Sequence, residues 1–252
     1  MAISVDKVYQ KVLATANKEQ RGYITPQEFN LFADHAQMEI FNQYFYDVDQ
    51  FTRRMADDTD QIIKHKIEIF KKASVAINES DELPTNLYLI ESVFLDRLGE
   101  THKSGPLKGE RKKTFVEKID RDKSNNIYNA FRDSPLLTPS KARPIYWLRS
   151  NQIFFMPSPS FLTTTNTFNA QYYLNYIRNP KKPNWTYVID PINQSALYNP
   201  DASNHQNFEL HISEETKLVI KILQLAGVSM KDYGLTQVAG QKEAGIVQQE
   251  KQ

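Results

Sequence analysis

The sequence predicts an α+β protein with N-terminal helices, an antiparallel β-rich body of sandwich or barrel-like form, and a C-terminal helix and tail. Three observations support this fold class. Apolar residues recur every three or four positions early in the chain, short β-branched and aromatic runs replace that spacing from about Lys66, and helix signals return at Ser213. We therefore expect a helical segment over residues 1–60, a β-rich body over 61–210 and a C-terminal segment over 211–252.

Two N-terminal helices are predicted. The first runs from about Ser4 to Ala16, where apolar residues lie at helical spacing. The second begins at a capping box, in which Thr25 precedes Pro26 and Glu28. Its apolar spacing then continues for about 30 residues, which predicts one long helix or two helices separated by a kink.

The apolar stripe of the second helix is wider than a single contact surface needs. Leu31, Met38, Phe41 and Phe45 lie beside the main stripe. Burial in the chain's own core is one interpretation, and packing against another subunit is the other. The second interpretation makes Phe41 and Phe45 candidate subunit-interface residues.

Seven short runs predict the strands of the β-rich body. They are "IEIFKKASVAI", "NLYLIESVFL", "IYWL", "IFFM", "AQYYLNYI", "WTYVI" and "SALY". Prolines lie at the ends of these runs, where a missing amide donor costs least. Ile145 to Arg149 and Gln152 to Met156 are predicted to form a hairpin that turns at Ser150 and Asn151. A short helix is expected near residues 125–132.

A C-terminal helix is predicted from its start and stop signals. Ser213 followed by Glu214 and Glu215 is typical of a helix N-terminus, because a hydroxyl caps free amides and acidic residues suit the helix dipole. The helix is expected to run to Ala226 and to stop at Gly227.

The tail after this helix has weak helical spacing. Leu235, Val238 and Ile246 carry the spacing, and glycines interrupt it. Such a segment does not hold together alone, so it either frays or becomes ordered against a neighbouring chain. The three apolar residues are therefore further subunit-interface candidates.

Composition excludes several classes of function. The 252 residues include no cysteine, which excludes a disulfide framework and a thiol nucleophile and fits a reducing compartment such as bacterial cytoplasm. A net charge of +1 gives no overall attraction to nucleic acid. With eight glycines and no glycine-rich phosphate loop, nucleotide binding is disfavoured, and we predict no cofactor. No leader-like start or membrane-length apolar run occurs, so we expect a soluble protein that is not exported.

One stretch resembles a calcium loop. In "NKEQRGYITPQE", Asn17, Glu19 and Glu28 fall at the first, third and twelfth positions of an EF-hand loop. Arg21, however, places a cation at the fifth position, where an oxygen ligand is needed. The five histidines never pair at metal-ligand spacing. We therefore predict no metal site.

No catalytic residue is predicted either. Triads are recognised by geometry, and no Ser, His and Asp set can be proposed from spacing. The acidic cluster Asp57, Asp58 and Asp60 is interpreted as the end of the long helix and the start of a loop. The chain is therefore expected not to be an enzyme.

The clearest local excess of positive charge lies in "HKSGPLKGERKK". Its cations are Lys103, Lys108, Arg111, Lys112 and Lys113. A solvated loop between two strands is one interpretation. The alternative is contact with an acidic partner or with a DNA backbone, for which binding would fall as salt rises.

Five strings together resemble the head-to-tail connector, or ring, proteins of tailed bacteriophages, most closely those of crAss-like phages. They are "ANKEQRGYITPQEFNLFADHAQMEIFNQYF", "LPTNLYLIESV", "PIYWLRSNQIFFMPSP", "YYLNYIRNPKKPNWTYV" and "FELHISEETKLVIKILQLAGVSMKD", which span most of the chain. The resemblance implies a dodecameric ring of identical subunits below the portal protein, in contact with adjacent connector and tail proteins. It also implies a virion protein of the phage neck that is made in the host bacterial cytoplasm. Helices and C-terminal tails would clasp neighbouring subunits, and the β-rich body would form the wall of the genome conduit.

A rival interpretation comes from another functional class. A monomeric β-sandwich binding module would use exposed aromatic rings as a platform for carbohydrate or another surface. The ring protein is expected to assemble, whereas the binding module is expected to be a stable monomer. Light scattering on the purified protein distinguishes the two.

Overall fold

The computed structural model describes residues 3–18, 24–54, 57–77, 82–101, 111–120, 139–158, 170–229, 241–242 and 244–245. The chain divides into two compact units. One unit, called the helical unit below, comprises residues 1–69 and 180–252, and the other, called the β unit, comprises residues 70–179. Helices at both ends of the sequence and antiparallel sheets between them confirm the predicted α+β class.

The helical unit contains helices, a short hairpin and a turn. Its elements are α1 (Val5–Lys18), α2 (Pro26–Arg54), α3 (Asp57–Glu68), β8 (Tyr187–Ile189), β9 (Ala196–Tyr198), a 3-10 turn (Ile212–Glu214) and α4 (Glu215–Ser229). Helix α4 packs against α1 and α2, and α3 packs against α2. Helix α2 begins where the sequence predicts, because Thr25 and Glu28 form the expected reciprocal cap before it.

Aromatic rings form the centre of the core of the helical unit. The ring of Tyr9 lies 4.7 Å from that of Phe29 and 4.4 Å from that of Trp185, and all three residues are buried. Other fully buried apolar residues of this unit are Val8, Val12, Ile40, Phe41, Phe208, Leu218 and Ile222. The buried Glu214 carboxylate pairs with Lys66 at 2.5 Å, which supplies the partner that a buried charge requires.

The β unit contains seven described strands in two sheets. They are β1 (Lys71–Ile77), β2 (Leu87–Thr101), β3 (Arg111–Phe115), β4 (Glu117–Lys118), β5 (Ile145–Arg149), β6 (Gln152–Met156) and β7 (Ala170–Arg178). The larger sheet has the order β1-β7-β2-β3 and is antiparallel throughout. The smaller sheet has the order β4-β5-β6, and its β4-β5 pair is parallel.

One extended stretch, residues 111–118, contributes a strand to each of the two sheets. Strand β3 pairs with β2, and strand β4, two residues further on, pairs with β5. Between them Val116 is buried, and its amide donates to Val93 in the larger sheet at 2.9 Å. The sheets enclose an apolar core that includes Phe155 and Tyr172, whose rings stack at 4.0 Å. The predicted sandwich or barrel-like body therefore corresponds to this unit.

The predicted β5-β6 hairpin is confirmed. Arg149 pairs with Gln152, so Ser150 and Asn151 form a two-residue turn. Ser150 has a φ of 56°, a left-handed conformation that such a turn demands.

Three predicted boundaries are wrong. The acidic residues from Asp57 onward begin helix α3 and do not end the chain's helical region, and the run interpreted as a strand from Ile67 is helical as far as Glu68. Acidic residues favour the positive end of a helix dipole, so their position at a helix start is physically reasonable. Gly227 is also not a stop, because α4 continues to Ser229.

The units also divide the chain differently from the predicted segments. Their boundaries lie at residues 70 and 180, so the last two predicted strands, β8 and β9, belong to the helical unit. The short helix expected near residues 125–132 lies outside the described residues.

Candidate functional site

The hairpin formed by β8 and β9 packs through one face on the rest of the helical unit. Tyr187 and Tyr198 are cross-strand partners, and their rings lie 5.7 and 5.8 Å from that of Trp185. Trp185 is buried, and its indole nitrogen donates to the Asp6 carboxylate at 3.0 Å. Burial, with a smaller contribution from Asp6, raises the pKa of Tyr198, so its phenol is neutral at physiological pH.

The turn of this hairpin is held in a defined conformation. The Asp190 carboxylate accepts hydrogen bonds from the Ile192 amide at 3.0 Å and from the Asn193 side chain at 3.3 Å. The Asp190 amide donates to the Ser195 carbonyl, and the Gln194 amide donates to the Asp190 carbonyl, both at 2.9 Å. These bonds preorganise the tip, because a side chain that caps its own turn replaces solvent as the partner of the backbone.

The hairpin exposes four large apolar side chains. Their exposed fractions are 54% for Val188, 60% for Ile189, 86% for Ile192 and 55% for Leu197. Val188 and Leu197 are cross-strand partners and therefore lie on the same face. We call these four residues the hairpin patch. Ile189 alternates with Val188 along the strand and lies on the opposite face, the face of Tyr187, so the patch covers both faces of the hairpin and its tip. Clustered apolar exposure on one element is typical of an interaction surface, whereas single exposed apolar residues are normal.

A groove lies on the same unit, along the first turns of α2. It has a volume of about 480 Å³ and is lined by Gln27, Asn30, Leu31, Asp34, Lys182, Pro183, Asn184 and Asn204. Leu31 is 69% exposed within it. Lys182 pairs with Asp34 only loosely, at 3.7 Å, and its side chain is 85% exposed. We call this depression the α2 groove.

Side-chain amides of α2 hold the segment that forms one wall of the groove. The Asn30 amide donates to the Trp185 carbonyl at 3.1 Å and accepts from the Trp185 amide at 2.8 Å, as a neighbouring strand would. Two helical turns further on, the buried Gln37 donates to the Lys181 carbonyl at 2.8 Å and accepts from the Glu209 amide at 3.1 Å. These hydrogen bonds tie the backbone of this groove wall to α2.

The structure corrects one interface candidate. Phe41 is fully buried in the core of its own helical unit, so its ring is not available to a second subunit. The wide apolar stripe of α2 exists because α3 and α4 both pack against it. Phe45 is half-buried with its ring 5.1 Å from that of Phe41, and its interface role stays a prediction. Leu235, Val238 and Ile246 lie outside the described residues.

The basic cluster is only partly a loop. Arg111, Lys112 and Lys113 belong to strand β3, whereas Lys103 and Lys108 lie outside the described residues. The Lys113 ammonium lies 5.2 Å from the centre of the Phe94 ring, in a cation–π contact. Lys113 is exposed, so contact with DNA or with an acidic partner stays a prediction for this strand.

The residues that resemble a calcium loop have other positions in the structure. Asn17 lies near the end of α1, and Glu19 lies outside the described residues. One carboxylate oxygen of Glu28 accepts from the Thr25 amide at 3.0 Å and from the Thr25 hydroxyl at 2.8 Å, so Glu28 forms part of a helix cap. Within the described ranges, no three potential metal-ligating side chains converge.

The hairpin patch was not predicted from the sequence, although a signal for it is present. "YVI" and "ALY" are short runs without polar alternation, separated by a loop that contains Asp190 and Pro191. A two-stranded ribbon has two faces, and only one of them can pack on the body that carries it. Apolar residues at consecutive positions of such a ribbon therefore indicate an exposed apolar face.

No known protein-family model and no curated protein matches the chain. Among the helices in the described part of the chain, none is long and apolar enough to cross a membrane. The feature that the described residues do provide is a surface, formed by a rigid apolar hairpin and a groove on the same unit.

Proposed function

We propose that this chain is a structural subunit of the head-tail connector of a tailed bacteriophage, where copies of it form a ring in the neck, below the portal protein. In this proposal the ring is part of the conduit through which DNA passes during ejection, and the chain performs no catalysis. The hairpin patch is the observation that carries the proposed self-assembly.

The hairpin patch has the properties of a protein–protein contact. Its apolar side chains are exposed in the single chain, so their burial in an assembly would remove apolar surface from water. Its turn is already fixed by Asp190, so little conformational entropy is lost when the tip docks.

The phage assignment is supported by the resemblance of the five sequence strings, which span most of the chain. A dodecameric ring, contact with the portal and adjacent connector or tail proteins, and location in the virion all belong to this part of the proposal. Contact with genomic DNA through the basic residues of β3, such as Lys113, also belongs to it. A conduit wall needs rigid subunits joined by large contacts, and both units have closed apolar cores.

Sedimentation velocity of the purified protein tests self-assembly. We expect a concentration-dependent species much larger than the single chain. Ile192→Asp together with Leu197→Asp should abolish it, because two buried carboxylates without partners oppose docking. Ile212→Asp is the matched control, since Ile212 is also an exposed apolar residue of this unit but lies outside the hairpin.

The contrary result is a wild-type protein that sediments as a monomer at all concentrations and in mixtures with its portal protein. The phage assignment has its own test. Quantitative mass spectrometry of purified particles should find the chain at a multiple of the portal copy number that fits a closed ring, and its absence from the particles would contradict the assignment.

A monomeric binding module is the second candidate, favoured by one observation. Phe115 on β3 is 79% exposed and is the cross-strand partner of Phe94, whose ring stacks on that of Tyr173 at 5.4 Å. Three aromatic rings thus lie along one face of the larger sheet, and Phe94 is buried beneath its neighbours, so Phe115 is the exposed ring on which a carbohydrate could stack. This candidate requires a monomer that binds glycans and loses binding with Phe115→Ala.

A further inference from the structure

We infer that the hairpin patch of one copy docks in the α2 groove of the next copy, head to tail. This inference rests on the proposed self-assembly and specifies the contact that produces it. Three features of the described residues support it. They are an open groove with an exposed apolar residue, an apolar tip on a hydrogen-bonded turn, and opposite charges beside the groove and the tip.

The α2 groove is open in the single chain. Leu31 is 69% exposed on its wall, and the buried Pro183 lines the groove beside it. A volume of about 480 Å³ accommodates a few side chains and lies within the usual range for binding sites. The amides of Asn30 and Asn184 that line it bond to each other and to neighbouring backbone, so they do not need a polar ligand.

The tip of the hairpin is a suitable occupant. Ile192 is the most exposed large apolar residue among those described, at 86%, and it follows Pro191, whose ring restricts the backbone. The Asp190 carboxylate accepts from the Ile192 amide and so constrains the backbone that carries this side chain. The chain's own groove does not take up the tip, because both Ile192 and Leu31 remain exposed.

The charges beside the two surfaces are complementary. Asp190 lies at the base of the tip, and its carboxylate has acceptor capacity beyond the two hydrogen bonds that it makes within the turn. Lys182 lies at the groove with an exposed ammonium and only a long contact to Asp34. Docking would place the carboxylate of one copy near the ammonium of the next, which sets the register of the contact.

The tip and the groove are different surfaces of the same chain. A contact between two different surfaces is heterologous, so each copy that docks leaves a free groove or a free tip for another copy. Repetition of this contact gives a ring when the rotation closes. The inferred contact therefore provides the geometry that a ring requires.

Because the chain contains no cysteine, engineered thiols report this contact specifically. Leu31→Cys and Ile192→Cys are made as separate variants and mixed under mild oxidation. We expect the disulfide between the two variants to form on the order of a hundredfold faster than either symmetric disulfide, because docking raises the effective concentration of the two thiols. Ile212→Cys replaces Ile192→Cys in the control mixture and should show no such preference.

Other outcomes overturn the inference. Equal or absent cross-linking in the test mixture, compared with the Ile212→Cys control, excludes docking of the tip in the groove. A chain that carries both Leu31→Cys and Ile192→Cys should give a ladder of covalent multimers, and a product that stops at the dimer would exclude the head-to-tail arrangement.

Failure of this inference can be distinguished from failure of the proposed function. If the wild-type protein assembles in sedimentation but the mixed variants do not cross-link selectively, only the inferred contact is wrong. If the wild-type protein neither assembles nor cross-links, self-assembly itself is contradicted. Lys182→Glu adds an independent measurement, since charge reversal at the groove should weaken assembly several-fold.

Discussion

Gln37 shows how a single buried amide stabilises the groove wall. It is fully buried on α2 and bonds to the Lys181 carbonyl and the Glu209 amide, which lie in separate stretches of the chain. Gln37→Leu keeps a similar volume but leaves both backbone groups without this partner. We expect the free energy of unfolding to fall by about 2–4 kcal/mol, measured by urea denaturation.

The matched control for this change lies on the same helix. Gln27 is exposed, and its only described hydrogen bond is a long one of 3.5 Å to the Tyr187 hydroxyl. Gln27→Leu should therefore change stability by no more than about 0.5 kcal/mol. Equal effects of the two substitutions would contradict the proposed role of Gln37.

Glu28 gives a pH-dependent prediction. The hydrogen bonds from the Thr25 amide and then the Thr25 hydroxyl lower the pKa of the Glu28 carboxyl below its ordinary value of 4.5. A lowered pKa in the folded state means that the charged cap stabilises the fold above pH 4.5. This contribution is lost as the pH falls through the lowered pKa. NMR titration of the side-chain carboxyl should show the depression directly.

Thr25→Val separates the causes of this shift. The variant loses the hydroxyl but keeps the backbone amide, which is the larger cause. The pKa of Glu28 should therefore rise only part of the way toward its ordinary value. A full return, or no change, would show that the two hydrogen bonds do not contribute as the structure indicates.

At the scale of elements, the β5-β6 hairpin contains a residue that its turn does not favour. Ser150 has a φ of 56°, a conformation that is free of steric strain for glycine and strained for other residues. Ser150→Gly should therefore stabilise the protein by about 0.5–1 kcal/mol. A thermal unfolding curve should show a higher Tm.

Substitution of Ser150 by a β-branched residue should have the opposite effect. Ser150→Val should lower the Tm, because its side chain is poorly compatible with a left-handed backbone. Ser150 is exposed, so neither change alters the core. If glycine and valine shifted the Tm in the same direction, backbone conformation would not explain the effect.

The elements that sequence patterns predicted well are those with local causes. The start of α2 follows from the hydroxyl and carboxylate of Thr25 and Glu28, and the β5-β6 hairpin follows from its own alternation. The C-terminal end of α3 was misread because β-branched residues near Ile67 suit a strand as well as a buried helix face. Gly227 was misread for a related reason, since tertiary packing overrides a weak local stop signal.

The candidate site was harder to predict because its properties depend on tertiary structure. Phe41 and Val188 are both apolar residues in periodic runs, yet Phe41 is buried and Val188 is 54% exposed. Phe41 lies on α2, against which α3 and α4 pack. Val188 lies in a sheet of two strands, and among the described residues no third strand covers it. The spacing of apolar residues in the sequence does not specify which elements will pack against α2 or against the hairpin.

At the scale of the whole molecule, the β unit is a continuous insertion in the helical unit. It enters at Phe70 and leaves at Asn179, and these ends are adjacent because the Arg178 amide donates to the Phe70 carbonyl at 3.0 Å. Lys71 and Ile177, one step further in, are already cross-strand partners. Insertions with adjacent ends are those that a host fold tolerates best.

This topology predicts that each unit folds without the other. Residues 70–179 alone should give a cooperative unfolding transition, because their core is closed by their own strands. A chain in which a short Gly-Ser linker replaces residues 70–179 should keep a helical far-ultraviolet spectrum. It should also self-assemble as the full chain does, since the hairpin patch and the α2 groove both lie in the helical unit. Folding of the linked chain without assembly would show that the β unit contributes to the ring contact, and failure of both parts to fold would contradict the division into two units.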